Sequence, residues 1–183
     1  MIEPWEKLES SRRGDYRVFR VREDIARSPE AGSEHSFFVI EANDWMNVIP
    51  ITEDGRIVLV RQYRHGTEEI SLEIPGGIVD DGESPIAAAR RELLEETGYE
   101  AAEIVEIGVV APNPAIQNNR CHSFLAKNVR RVRKQTLDLT EEIAVDLVDP
   151  SDIPSLIVSG AISHALVVAA FYLWDRHQHE QGD

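Results

Sequence analysis

Cysteine is nearly absent from this chain. Cys121 stands alone among 183 residues, so no intrachain disulfide can form. Long apolar runs are missing too. The longest, Ala165 to Trp174, is half of the ~20 residues a membrane-spanning helix needs. The N-terminal MIEPWEKLES has neither the basic start nor the apolar stretch of a secretory signal. Positive charge is scarce, with 19 Lys and Arg against 33 Asp and Glu for a net charge of −14, and such a surface repels a long polyanion. These shortages set aside a disulfide scaffold, a membrane partner and a nucleic-acid groove, and they lead us to expect a cytoplasmic protein. An acidic chain still accepts a small phosphorylated ligand where metal ions reverse the local field.

What is present is ordinary for a globular domain. Hydrophobic residues make up 42% and charged residues 28%, so the bulk of the chain folds rather than staying disordered. Alternation at the strand period predicts a strand over Tyr16 to Arg22, and further strands are expected at Ser36 to Glu41, Ile104 to Ala111, His122 to Ala126 and Ile143 to Val148. Val48 to Ile51 and Arg56 to Arg61 flank Glu53-Asp54-Gly55 and read as a hairpin. A helix is expected from Ser84 to Thr97, with Ser84 as cap, Pro85 at the first helical position and Gly98 closing it. A second is expected from about Ser163 to Arg176, after a short turn near Ser151 to Ser159. Strands interrupted by helices predict an α/β layered domain.

The chemistry concentrates in GGIVDDGESPIAAARRELLEETGY, residues 76 to 99. Glu92 and Glu96 lie one turn apart on one face of the expected helix, with Glu95 beside them and Glu83 just before. Like charges so spaced weaken an isolated helix by a few tenths of a kcal/mol, a penalty that a divalent cation removes. Hard oxygen donors without Cys or His suit Mg²⁺ or Mn²⁺. Arg91 is spaced to hold one of these carboxylates by a bidentate pair, and Gly76-Gly77 lets the backbone come close to a ligand.

Gly77, Glu83, Arg91-Glu92-Leu93, Glu95-Glu96 and Gly98 stand at intervals that resemble the Nudix box. Every fixed glycine, arginine and glutamate of that motif is matched, and Tyr99 replaces the usual aliphatic residue. The box covers 23 residues, and the strand order is similar to the Nudix fold over roughly residues 44–175. The resemblance implies mixed β-sheets sandwiched between helices (α/β/α), preceded by a β-strand arm. It further implies hydrolysis of a nucleoside diphosphate linked to another moiety. Metal would be held at Glu92, Glu96, Glu95 and the carbonyl of Gly76, with Arg91 orienting these carboxylates and Gly77 and Glu83 supporting the loop.

Three features are similar to the branch of that family that cleaves ADP-ribose and nucleotide sugars. Pro114 lies sixteen residues beyond Gly98, Arg61-Gln62-Tyr63-Arg64 leads from a strand towards the box, and the N-terminal segment is long. In that branch the arm adds strands exchanged across a homodimer, and its aromatic side chains stack on the base. We therefore divide the chain into an arm, 1–43, and a hydrolase domain, 44–183. Arg64 is expected to meet a phosphate. Trp45, Phe37 and Phe38 are candidates for base stacking, and at strand spacing at least one of the two phenylalanines should be core. A general base is sought outside the helix, in Leu139-Thr140-Glu141-Glu142-Ile143, with Glu141 preferred to Glu142.

The expected substrate is thus a nucleoside diphosphate sugar such as ADP-ribose or GDP-mannose, cleaved to a nucleoside monophosphate and a sugar phosphate. The alternatives are hydrolysis of nucleoside triphosphates or dinucleoside polyphosphates, and a non-catalytic nucleotide-sensing module. The basic run Arg130 to Lys134 reads as a solvated hairpin tip, and His177 and His179 as part of a fraying tail.

Overall fold

The computed structural model describes residues 1–137, 139 and 141–181. Among these residues eleven strands and three α-helices follow in the order β1 (Glu6–Asp15), β2 (Arg20–Arg27), β3 (Glu34–Glu41), β4 (Trp45–Thr52), β5 (Ile57–Arg64), β6 (Glu69–Glu73), β7 (Gly76–Ile78), α1 (Pro85–Thr97), β8 (Tyr99–Glu100), β9 (Glu103–Val110), β10 (Cys121–Arg131), β11 (Ile143–Val148), α2 (Ile153–Val158) and α3 (Ala165–Gln181). They fall into two compact units. One comprises Met1–Asn43 with Ala111–Arg120, the other Asp44–Val110 with Cys121–Asp183.

The larger unit is built on an eight-stranded mixed sheet. Its main path runs β11-β5-β4-β10-β8, with β6 added to β5, β7 to β4 and β9 to β10. β4 and β10 run parallel, and their other pairings are antiparallel. Strand periodicity divides the core between the two faces. Val48, Val58 and Phe124 pack in one cluster with Ala88, Ala89 and Leu93 of α1. Their chain neighbours Ile49, Leu59 and Leu125 pack in the other with Val167, Ala170 and Phe171 of α3. Helices on both faces of a mixed sheet make the α/β/α sandwich expected from the sequence.

The smaller unit is an antiparallel three-stranded sheet in the order β1-β2-β3. Residues 111–120 attach to its third strand. Ile40 N donates to Ile116 O at 2.7 Å, Asn118 N donates to Ile40 O at 3.3 Å, and Asn119 Nδ2 donates to Asn43 O at 3.2 Å.

Several expectations need correction. Tyr16 to Phe19 form a turn in which Arg17 takes φ 68°, so the strand expected at Tyr16 begins only at Arg20, and the polar segment Glu6–Asp15 is its partner. Phe37 and Phe38 are 43% and 58% exposed, and neither is core, because no second layer of this unit covers the sheet. α3 continues past Arg176 to Gln181, which puts His177 and His179 in helix rather than in a tail. Arg130 and Arg131 end β10 opposite Glu100 and Tyr99 rather than capping a hairpin. No helix among the described residues is long and apolar enough to cross a membrane.

Candidate active site

The helix that carries the acidic cluster starts and stops where its own residues dictate. Ser84 Oγ accepts from Ala87 N at 3.3 Å, and Pro85 sits at the first turn, where its missing N–H costs nothing. Gly98 closes α1 in the left-handed region at φ 75°, and a side chain there would also run into the carbonyl of Arg133. Ala88, Ala89 and Leu93 face the sheet, which fixes the rotation of the helix and the positions of Arg91, Glu92, Glu95 and Glu96.

Arg91 is the hub of the cluster. It donates bidentately to Glu83, Nε to Oε1 at 3.1 Å and Nη2 to Oε2 at 3.0 Å. Nη1 reaches Glu92 Oε1 at 2.8 Å and Glu95 Oε2 at 3.4 Å, and Nη2 also donates to the carbonyl of Ile78 at 3.2 Å. These bonds, led by Glu83, raise the pKa of Arg91, while Arg91 holds the Glu83 carboxyl below its ordinary range. One guanidinium thus ties the loop before α1 to two of the helix carboxylates, where spacing alone had suggested a bidentate hold on one.

Glu96 differs from its neighbours. It is only 3% exposed, and its Oε2 accepts from Gly76 N at 3.2 Å. It has no ion pair among the described residues. Burial pushes its carboxyl well above the usual value, and the charges of Glu92 and Glu141 push the same way. Burial also raises Glu92, against the opposing pull of Arg91. Gly77 lies so close to the Glu92 carboxylate that a Cβ there would overlap it. Gly76 and Gly77 therefore bring main chain against both carboxylates of the i, i+4 pair.

Among the described residues, no three Asp, Glu, His or Cys side chains already surround one point as a cation cage. The Glu92 and Glu95 oxygens are instead turned onto Arg91. The donor chemistry nevertheless fits a divalent cation: hard carboxylate oxygens on one helix face, one of them buried without an ion pair among the described residues, packed closely against a glycine main chain.

The other expected residues lie as follows. Glu141 is exposed between β10 and β11, near enough for its charge to act on Glu92, Glu96 and Arg64; Glu142 is exposed beside it, and Thr140 lies outside the described residues. Arg64 ends β5 and is paired bidentately with the buried Glu73, at 2.8 and 2.7 Å. Burial alone would push Glu73 up, but the hydrogen bonds and charge of Arg64 outweigh it and hold the carboxyl below its usual range. Trp45 opens β4, half-buried, with Ile78 and Cys121 as its strand partners. Pro114 starts an exposed turn in the smaller unit. Glu73 and Gln135 were not singled out from sequence; Glu73 stands just before Ile74-Pro75-Gly76-Gly77, and that proximity to the box was the available signal.

Comparison with known proteins identifies the family and the fold. The model of the NUDIX domain matches residues 43–171. The methanol dehydrogenase activator of Bacillus methanolicus is 32% identical over 133 residues, covering 73% of this chain and 71% of that protein. The ADP-ribose pyrophosphatase of Bacillus subtilis (strain 168) is 34% identical over 119 residues, which make up 64% of each chain. A crystal structure titled as that of an ADP compounds hydrolase superposes with a TM-score of 0.88 over 100% of this chain and 98% of its own, at 22% identity, a likeness of fold. With the box residues gathered around one arginine and the fold shared from end to end, this chain belongs to the NUDIX family.

Proposed function

We propose that this chain hydrolyses the pyrophosphate bond of a nucleoside diphosphate sugar, releasing a nucleoside monophosphate and a sugar phosphate. The observation that carries the reading is the pair Glu92 and Glu96 on one face of α1, the first partly and the second fully buried, both against the Gly76-Gly77 main chain. The names of the relatives, among them an ADP-sugar pyrophosphatase of Mus musculus, favour that substrate class.

Glu92, Glu96, Glu95 and the carbonyl of Gly76 would hold Mg²⁺, for which Mn²⁺ would substitute. When bound, the cation neutralises the diphosphate and polarises a P–O bond. Arg91 keeps Glu92 and Glu95 oriented and locks them to Glu83. Glu141, or Glu142 in its place, takes the proton from the attacking water; the water oxygen bonds to phosphorus as the bridging P–O bond breaks. Arg64, kept in position by Glu73, meets a phosphate. Trp45 stacks on the base, and Pro114 shapes the loop that contacts the substrate.

The reading extends to residues 1–43 as an arm exchanged across a homodimer, supported by the exposed Trp5, Phe37 and Phe38 on a sheet that lacks a core of its own. It places the protein in the cytoplasm, without nucleic-acid or membrane partners. A panel including ADP-ribose, GDP-mannose, nucleoside triphosphates and dinucleoside polyphosphates, assayed for phosphatase-coupled phosphate release with Mg²⁺ or Mn²⁺, tests the substrate class. Turnover of a nucleotide sugar is the expected result. Turnover of triphosphates alone, or ADP-ribose retained uncleaved, would overturn it.

A further inference from the structure

Between β10 and β11 the chain does not run free past the end of α1. Val132 N and Arg133 N donate to Gly98 O at 2.9 and 3.3 Å, and Thr136 N donates to Glu95 O at 2.9 Å. The side chain of Gln135 adds a different kind of link. Its Nε2 donates to the main-chain oxygen of Glu96 and, at 3.0 Å, to that of Ile143. The carbonyl of Glu96 belongs to the last turn of α1, where acceptors lack intrahelical donors. Ile143 is the first residue of β11, two positions after Glu141. A single amide nitrogen therefore joins the acidic turn of the helix to the far end of the segment that starts at Gln135 itself.

We propose that Gln135 is a positioning residue for proton transfer. Its amide pins the root of the Glu141 loop to the turn of α1 that carries Glu95 and Glu96, and so sets Glu141 against the acidic cluster. Both N–H groups of the amide are used, and each faces a carbonyl. No close relative of glutamine does the same. Glutamate has its shape but offers only acceptors when ionised, methionine has its length but no donor, and asparagine is one methylene short.

This inference rests on the proposed reading of Glu141 as proton acceptor, and a double-mutant cycle separates the two. Full-length wild type, Gln135→Met, Glu141→Gln and the double variant are assayed with ADP-ribose and Mg²⁺, with thermal melting in parallel. Gln135→Met is expected to lower kcat by about tenfold to a hundredfold, the scale of an ångström-level misplacement, and to leave KM unchanged. In the Glu141→Gln background the same change should cost less than about twofold, because the group being positioned is already lost. Gln135→Glu should reproduce the loss, and it replaces Gln135→Met if that variant does not fold. Independent, multiplying effects would overturn the positioning role and leave the Glu141 reading intact. Undiminished turnover in Glu141→Gln would overturn both.

Discussion

Around α1, the apolar faces of Ala88, Ala89 and Leu93 disappear against the strands, and the buried cluster includes Val48, Val58 and Phe124. The β1–β3 sheet, taken by itself, has Ala26 as its only buried apolar side chain among the described residues. Its strands are stitched instead by ion pairs between neighbours: Arg13 with Glu23, Arg22 with Glu41 and Arg27 with both Glu6 and Glu34. The first region is fixed by burial and holds a charged cluster in a rigid frame, so small changes in the cluster should be felt as chemistry. The second is fixed by register and by surface ion pairs, exposed to differing degrees and individually worth little where exposed, and changes there should be felt as assembly.

The sharpest way to break that contrast is Glu96→Gln. It keeps the shape and removes the buried charge, and it should lower kcat by about a thousandfold or more, as expected when metal-assisted charge stabilisation is lost. Gly77→Ala comes next. The added methyl overlaps the Glu92 carboxylate, and the displacement should cost about tenfold to a hundredfold in kcat while circular dichroism stays unchanged. Deleting residues 1–43 should leave the larger unit folded, give a monomer in solution and raise KM; a truncated dimer, or a truncated monomer with wild-type kinetics, would remove the arm from the account.

A smaller effect is expected at the pair of Arg64 and Glu73. Because the folded pKa of Glu73 lies below its ordinary 4.5, its contribution to stability is present above that value and fades as pH falls through the lower folded one. Glu73→Gln should destabilise the protein at neutral pH by about 1–3 kcal/mol, at the modest end because Arg64 remains 42% solvent-exposed. Chemical denaturation at pH 7 and at pH 3.5 checks both the size and the shrinking difference.

The same contrast explains what could be read from residue order. α1 was legible to within a residue at each end, since Ser84, Pro85 and Gly98 act locally, and the box spacing placed Arg91 between its partners. β11 was legible from its alternation. β1 was not, because EKLESSRRGD carries no apolar alternation and is strand only through its pairing with β2. Phe37 and Phe38 misled for a related reason: a strand pattern says that side chains alternate, not that a layer exists to cover them. The attachment of residues 111–120 to β3, and the amide of Gln135 bridging Glu96 and Ile143, join positions far apart in the chain, and no local signal announces them.

The central claim is that the buried charge at Glu96 is there to hold a divalent cation. Melting curves of wild type and Glu96→Gln, each in EDTA and in Mg²⁺, test it most directly. Mg²⁺ is expected to raise the Tm of wild type, whereas Glu96→Gln should melt above wild type in EDTA, relieved of a buried carboxyl whose charged form burial disfavours, and should not respond to Mg²⁺. A wild-type Tm indifferent to Mg²⁺, or a Glu96→Gln protein stabilised by it to the same extent, would contradict the claim.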